Sequence, residues 1–214
     1  MRFLAWAGAA LILAAAPLAA EQNVIHLDGK AWETGGFPVS SPGDELQAVG
    51  IVNQIQAPLF WSPDIYSYTW YLRGLVSLGE VVYGTTHVAT YTGGLFTVHV
   101  DWKPSNHAYG IHPPNATSPS TFVDGHGVYL HGELSEFILT YNHATSSGGL
   151  VGEVYFTDGN AYPQIQSPDG WAVGANVSGL SPAGYDLEIN GRVYVDGPLA
   201  VEAETWGALK SLYR

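Results

Sequence analysis

The chain has 214 residues, no cysteine, and 19 acidic residues against 7 basic ones, for a formal net charge of −12. No basic patch exists to release counterions from nucleic acid or anionic lipid, so both are excluded as partners. A neutral ligand or cation-rich surroundings suit this surface better. Hydrophobic residues make up 46% and aromatic residues 13%, which is enough to build a core and argues against disorder; without disulfides, that core alone must hold the fold.

Residues 1–20 read as an export signal. Arg2 supplies the positive start, 3–16 is rich in Ala and Leu, and Pro17-Leu18-Ala19-Ala20 ends in small residues before Glu21. That is the three-part pattern of a secretory signal peptide. The apolar run is shorter than the ~20 residues that span a bilayer. The expected product is residues 21–214, a single β domain that is secreted or periplasmic, with no membrane span once the signal is removed.

The following residues alternate in period two, the signature of half-buried strands. The clearest run is 95–102, where Phe96, Val98, Val100 and Trp102 share one face and Thr97, His99 and Asp101 the other. Similar runs occupy 46–55, 67–78, 80–91, 127–134, 136–143, 150–157, 171–177 and 185–195. Turns are expected at Leu78-Gly79, Gly93-Gly94, Gly148-Gly149, Asp158-Gly159 and Asp169-Gly170. Asn190-Gly191 carries the favoured type I′ hairpin pair. Glycines within strands, among them Gly50, Gly74, Gly132 and Gly152, mark bends of the kind that curl a sheet. The expected fold is all-β, an antiparallel barrel or strongly curved β-sandwich of roughly 8–10 strands. A short C-terminal helix is expected at 202–214, where Trp206, Leu209 and Tyr213 repeat at helical spacing. Residues 103–124 form a long Pro-rich loop carrying His107, Tyr109 and His112.

Two constellations suggest chemistry. His99/Asp101 and His131/Glu133 are His-x-acid pairs on strands, and His143 lies on another. Residues two apart share a strand face, and imidazole with carboxylate suits a divalent metal. A polar solvent face is the plainer account. The second constellation is an aromatic stripe: Tyr66, Tyr68 and Trp70 alternate along one strand, with Trp61 upstream. It serves either as core or as a ligand surface, since sugar rings stack on flat aromatic faces. The chain shows no Gly-x-Ser-x-Gly elbow and no phosphate-cradling loop.

Gly43-Asp44-Glu45-Leu46, Tyr91-Thr92-Gly93-Gly94-Leu95 and Phe122-Val123-Asp124-Gly125 give the chain a glycine, aspartate and aromatic spacing that resembles exported bacterial β-rich proteins of unknown function. Some of these end in a Pro-Glu-Pro plus apolar-helix sorting signal, which this sequence lacks, and the resemblance implies no catalytic residue. The leading expectation is a non-enzymatic binding or surface module for a glycan or a small apolar molecule, with no cofactor. The alternatives are a metal-dependent hydrolase using the His-x-acid strands and a structural envelope or matrix protein that self-associates through strand edges.

Overall fold

The computed structural model describes residues 22–109, 120–165, 167–179 and 184–195. The expected signal at 1–20 and helix at 202–214 lie outside them. Nine antiparallel strands run in order: β1 (Gln22–Glu33), β2 (Glu45–Ile55), β3 (Tyr66–Tyr83), β4 (Thr86–Thr92), β5 (Leu95–Trp102), β6 (Gly127–Asn142), β7 (Ser147–Asp158), β8 (Trp171–Ser178) and β9 (Leu187–Val195). One helical turn, α1 (Ser120–Val123), and a 3-10 turn at Tyr162–Gln164 complete the described elements.

Eight strands close an antiparallel barrel, because β1 pairs with β2 on one side and with β9 on the other. The ninth strand adds no position to the circuit. β5 continues β4 end to end: β4 pairs with the second halves of β3 and β6, and β5 with their first halves. Gly93 and Gly94 form the joint with φ of 69° and 103°, and Gly74, at 71°, packs across from them on β3. These left-handed values favour glycine. The sequence places the turn here, and the structure uses it to kink one long strand.

The interior is filled. Phe96 and Val98 from β5, Leu130 and Phe137 from β6, Phe156 from β7 and Val193 from β9 are all buried. Apolar residues point in and polar ones largely point out, the reverse of a lipid-embedded barrel with a watery lumen. Trp70 lies against Gly29 and Gly50, which are cross-strand partners on β1 and β2; a Cβ on either would collide with the indole. The Trp70 Nε1–H donates to the Asp28 carbonyl at 3.0 Å. Part of the strand glycine seen in the sequence thus makes room for aromatic rings rather than bending the sheet. Gly152 beneath Phe137 repeats the arrangement.

A second, smaller core lies on the outer wall. Trp32, Val49, Tyr185 and Phe122 are buried together where α1 covers β1–β3. Thr69 Oγ1 donates to the Phe122 carbonyl at 2.8 Å and ties this segment down.

Inside the barrel the inward row of β1 finishes in a carboxylate. Glu33 is fully buried. Its side chain accepts from Ser40 Oγ at 2.6 Å and from the Tyr91 hydroxyl at 3.1 Å, while Ser77 Oγ lies 2.7 Å from Ser40 Oγ. The loop between β1 and β2 is therefore pinned to the barrel through Ser40. The Glu33 backbone N–H donates to Asp186 Oδ2 at 2.8 Å. Burial pushes both carboxyls above their usual range. It pushes the Tyr91 phenol up as well, so that phenol stays a neutral donor.

Four sequence expectations need correction. Gly148-Gly149 is not a turn but part of β7, paired with Tyr141 and Thr140 on β6. Asn190-Gly191 is not a hairpin turn: β9 runs straight through it, paired with β1 and β8 along its length. Gly191 is held tightly against Ala175, and the Asn190 amide is bound by Asp28, so tertiary packing overrides local turn preference. Leu78-Gly79 is a bulge within the single long β3, not a turn, with Gly79 at φ 101°. Likewise, 127–134 and 136–143 are not two strands but one, with a register shift between Leu134 and Phe137.

Candidate functional site

The structure separates the expected site residues by face and register. Of the aromatic stripe, Tyr68 and Trp70 are 2% exposed; they are core and offer a ligand nothing. Trp61 and Tyr66 are partly buried and pack on that core, with the Trp61 and Tyr68 rings 4.8 Å apart. Tyr68 and Trp70 thus face the core, while Trp61 and Tyr66 keep partial exposure at its margin. An inward alternation of large rings is the ordinary way to fill a barrel.

The His-x-acid pairs do lie on neighbouring strands, but the register staggers them. His131 faces Thr97 and Glu133 faces Leu95, while His99 faces Val128 across a register shift. His131 Nδ1 is 2.8 Å from Thr97 Oγ1. Asp101 takes a hydrogen bond from His126 Nδ1 at 2.6 Å, which is the main reason its carboxyl sits below the usual range. His143 follows the far end of β6, where its ring is 4.3 Å from that of His87; His87 Nδ1 is 2.9 Å from Glu80. Among the described residues no three His, Asp or Glu side chains form a set able to hold a metal ion. The expected set of His99, Asp101, His131, Glu133 and His143 is therefore not assembled.

His99 is affected by its surroundings. Burial, aided by His131 and Arg73, lowers its pKa from 6.5, and Asp124 opposes this weakly. The unfolded chain thus takes up this proton first as pH falls, so His99 contributes stability that is lost through and below 6.5. In His99→Gln, the decline of the melting temperature in that window is expected to flatten. Thermal melts across the window check this.

A different surface collects groups suited to binding. Outward-facing residues of β1, β9 and β8 meet in rows because their strands are in register: Asp28 faces Asn190 and Asn190 faces Asn176, while Lys30 faces Glu188 and Glu188 faces Ser178. These rows line an open groove of about 610 Å³ on the outer wall, with Tyr109 as its aromatic side. The Asp28 carboxylate accepts from the amides of both Asn190 and Asn53, which fixes their orientation. Lys30 Nζ lies 3.0 Å from Glu188 and 5.2 Å from the Tyr109 ring centroid. Burial pushes the Tyr109 phenol up to about 12, so it remains neutral. Beyond Asp28 and Asn190 a second depression continues past Asn53, Gln54 and His26. The His26 Nε2 atom is buried there with no hydrogen-bond partner among the described residues. Sequence reading missed this groove because its members are spaced over the whole chain and only the β1–β9–β8 register unites them.

Comparison of the chain with family models, curated proteins and solved structures returns no match.

Proposed function

We propose that the barrel is an exported binding module that takes a neutral glycan in the groove across β1, β9 and β8. The observation that carries this reading is the row of planar polar side chains, Asp28, Asn190 and Asn176, beside the Tyr109 ring. Amides and carboxylates in fixed orientation match sugar hydroxyls, which donate and accept at once, and a tyrosine face covers the apolar side of a pyranose ring. The groove's mixed charges, Lys30 against Glu188, leave a local field suited to an uncharged ligand. Among the described residues the barrel interior is packed with apolar side chains, which favours a glycan on the outer wall over a small apolar molecule inside.

Affinity electrophoresis through a panel of soluble polysaccharides tests the reading. The wild-type protein is expected to be retarded by at least one of them. Asn190→Ala should weaken binding by about 3- to 10-fold per lost hydrogen bond, and Tyr109→Ala by a similar factor. Free mobility in every gel, or retardation that both variants retain in full, defeats the proposal.

A further inference from the structure

The outer wall beside β3 and β5 holds a second arrangement, independent of the groove. The His107 ring is fixed from both sides. Its Nδ1 lies 2.9 Å from the Thr121 carbonyl, and its Nε2 lies 2.9 Å from Ser105 Oγ and 3.2 Å from Ser67 Oγ. A carbonyl only accepts, so neutral His107 carries its proton on Nδ1. Nε2 is then left as the acceptor for a hydroxyl proton, the tautomer a general base requires. The two serine hydroxyls are also hydrogen-bonded to each other. Phe122 packs near the imidazole, with ring centroids 5.9 Å apart. Ser67 faces Asp101 across the β3–β5 pairing. Ser67, Ser105 and His107 all retain partial exposure.

We infer that Ser105 and Ser67 with His107 form a hydroxyl–imidazole site for acyl transfer from carboxylic esters. Ser105, the closer hydroxyl, attacks the ester carbonyl carbon while His107 Nε2 takes its proton. The carbon–oxygen bond to the alcohol breaks, and the imidazolium returns the proton to the departing alkoxide. Water, deprotonated by the same nitrogen, then cleaves the acyl-serine to release the acid and restore the hydroxyl. Ser67 positions the Ser105 hydroxyl through their shared hydrogen bond. The Thr121 carbonyl holds the tautomer, as a triad acid does elsewhere.

A fluorophosphonate, which phosphonylates activated serines, is the first probe. The expected result is a single adduct by intact mass, mapped by peptide sequencing to Ser105, together with hydrolysis of p-nitrophenyl acetate. In His107→Gln, both labelling and hydrolysis should fall by about 10²–10⁴-fold with the melting curve unchanged. No adduct, an adduct on any other serine, or a labelling rate unaltered in His107→Gln overturns the inference. The location of the adduct on the wild-type protein decides the matter even where a variant fails to fold.

Discussion

Trp70→Ala is expected to destabilise the barrel by about 3–5 kcal/mol, the range for emptying a large aromatic site in a packed core, a large share of a domain's net stability. The indole fills the space over Gly29 and Gly50 and donates to the Asp28 carbonyl. Removing it therefore opens a cavity floored by two glycines that cannot fill it, and takes away the indole donor to the Asp28 carbonyl. Gly50→Ala attacks the same contact from the other side, because its Cβ meets both the indole and the Asp28 carbonyl. Overpacking of this kind costs about 1–3 kcal/mol. The two sites touch, so their effects should not add: once the indole is gone, the alanine has room on that side. Urea denaturation of both single variants and the double variant measures this. A Trp70→Ala protein as stable as the wild type would mean that this ring is not part of the core.

The second large effect belongs to Glu33. Ser40→Ala removes the hydroxyl that donates to this buried carboxylate and is expected to cost about 1.5–3 kcal/mol at neutral pH, as for hydrogen bonds to charged groups. The loss should shrink in acid, where the carboxyl is neutral. Burial raises Glu33 above its ordinary 4.5, against the opposing pull of Ser40 and Tyr91. The native chain therefore holds this proton to higher pH than the unfolded chain does. The corresponding stabilisation is complete below 4.5 and is lost as pH rises through the folded value. Asp186, also raised by burial, has the same sign. Glu33→Gln keeps an acceptor for Ser40 and Tyr91 but carries no charge. The fall in stability with rising pH that Glu33 contributes should be missing from this variant, while the contributions of Asp186, of the same sign, and of His99, of the opposite sign, stay in both proteins. Denaturation series from pH 4 to pH 8 on both proteins check this: the stability of the wild type minus that of Glu33→Gln should fall as pH rises, and a difference that grows with pH would contradict the assigned burial.

The fold class was legible because alternation survives wherever inward residues are large. β5 reads correctly at its start, where Phe96 and Val98 are buried, but Thr97 is buried too and Trp102, expected on the face of Phe96, is exposed. β1 was missed for a physical reason. Two of its inward positions are Gly29 and Ala31, kept small by the indole and by neighbouring strands, so the apolar period fades in the sequence. The Asn190-Gly191 pair misled because turn preference is local while β9 is held on both sides by long-range pairing. The His-x-acid pairs show how far alternation reaches. It placed His99 with Asp101 and His131 with Glu133 on shared faces, and the folded chain makes the two strands neighbours. The pairing register then set the pairs out of step, with His131 opposite Thr97 and Glu133 opposite Leu95. Faces follow from period, whereas register follows from bulges and turns that only the folded chain displays. The polar groove lay beyond such reading for the same reason: its two rows join residues some 160 positions apart, as with Asp28 and Asn190.

The closure of the barrel by its first and last strands carries a consequence for how the protein comes into being. Ile25 pairs with Val193 and Ala31 with Leu187, so β1 waits for nearly the whole chain before one of its edges is covered. Synthesis or translocation that begins at the N-terminus leaves an open, curling sheet with a sticky border at each side until residue 195 arrives, and such borders invite pairing with other chains. Closure is a long-range event and slow by topology. Chains truncated before β9 should accumulate as aggregates or as targets of proteolysis rather than as smaller barrels. The last strand serves as a latch: it completes two ladders at once and converts a vulnerable ribbon into an edgeless ring.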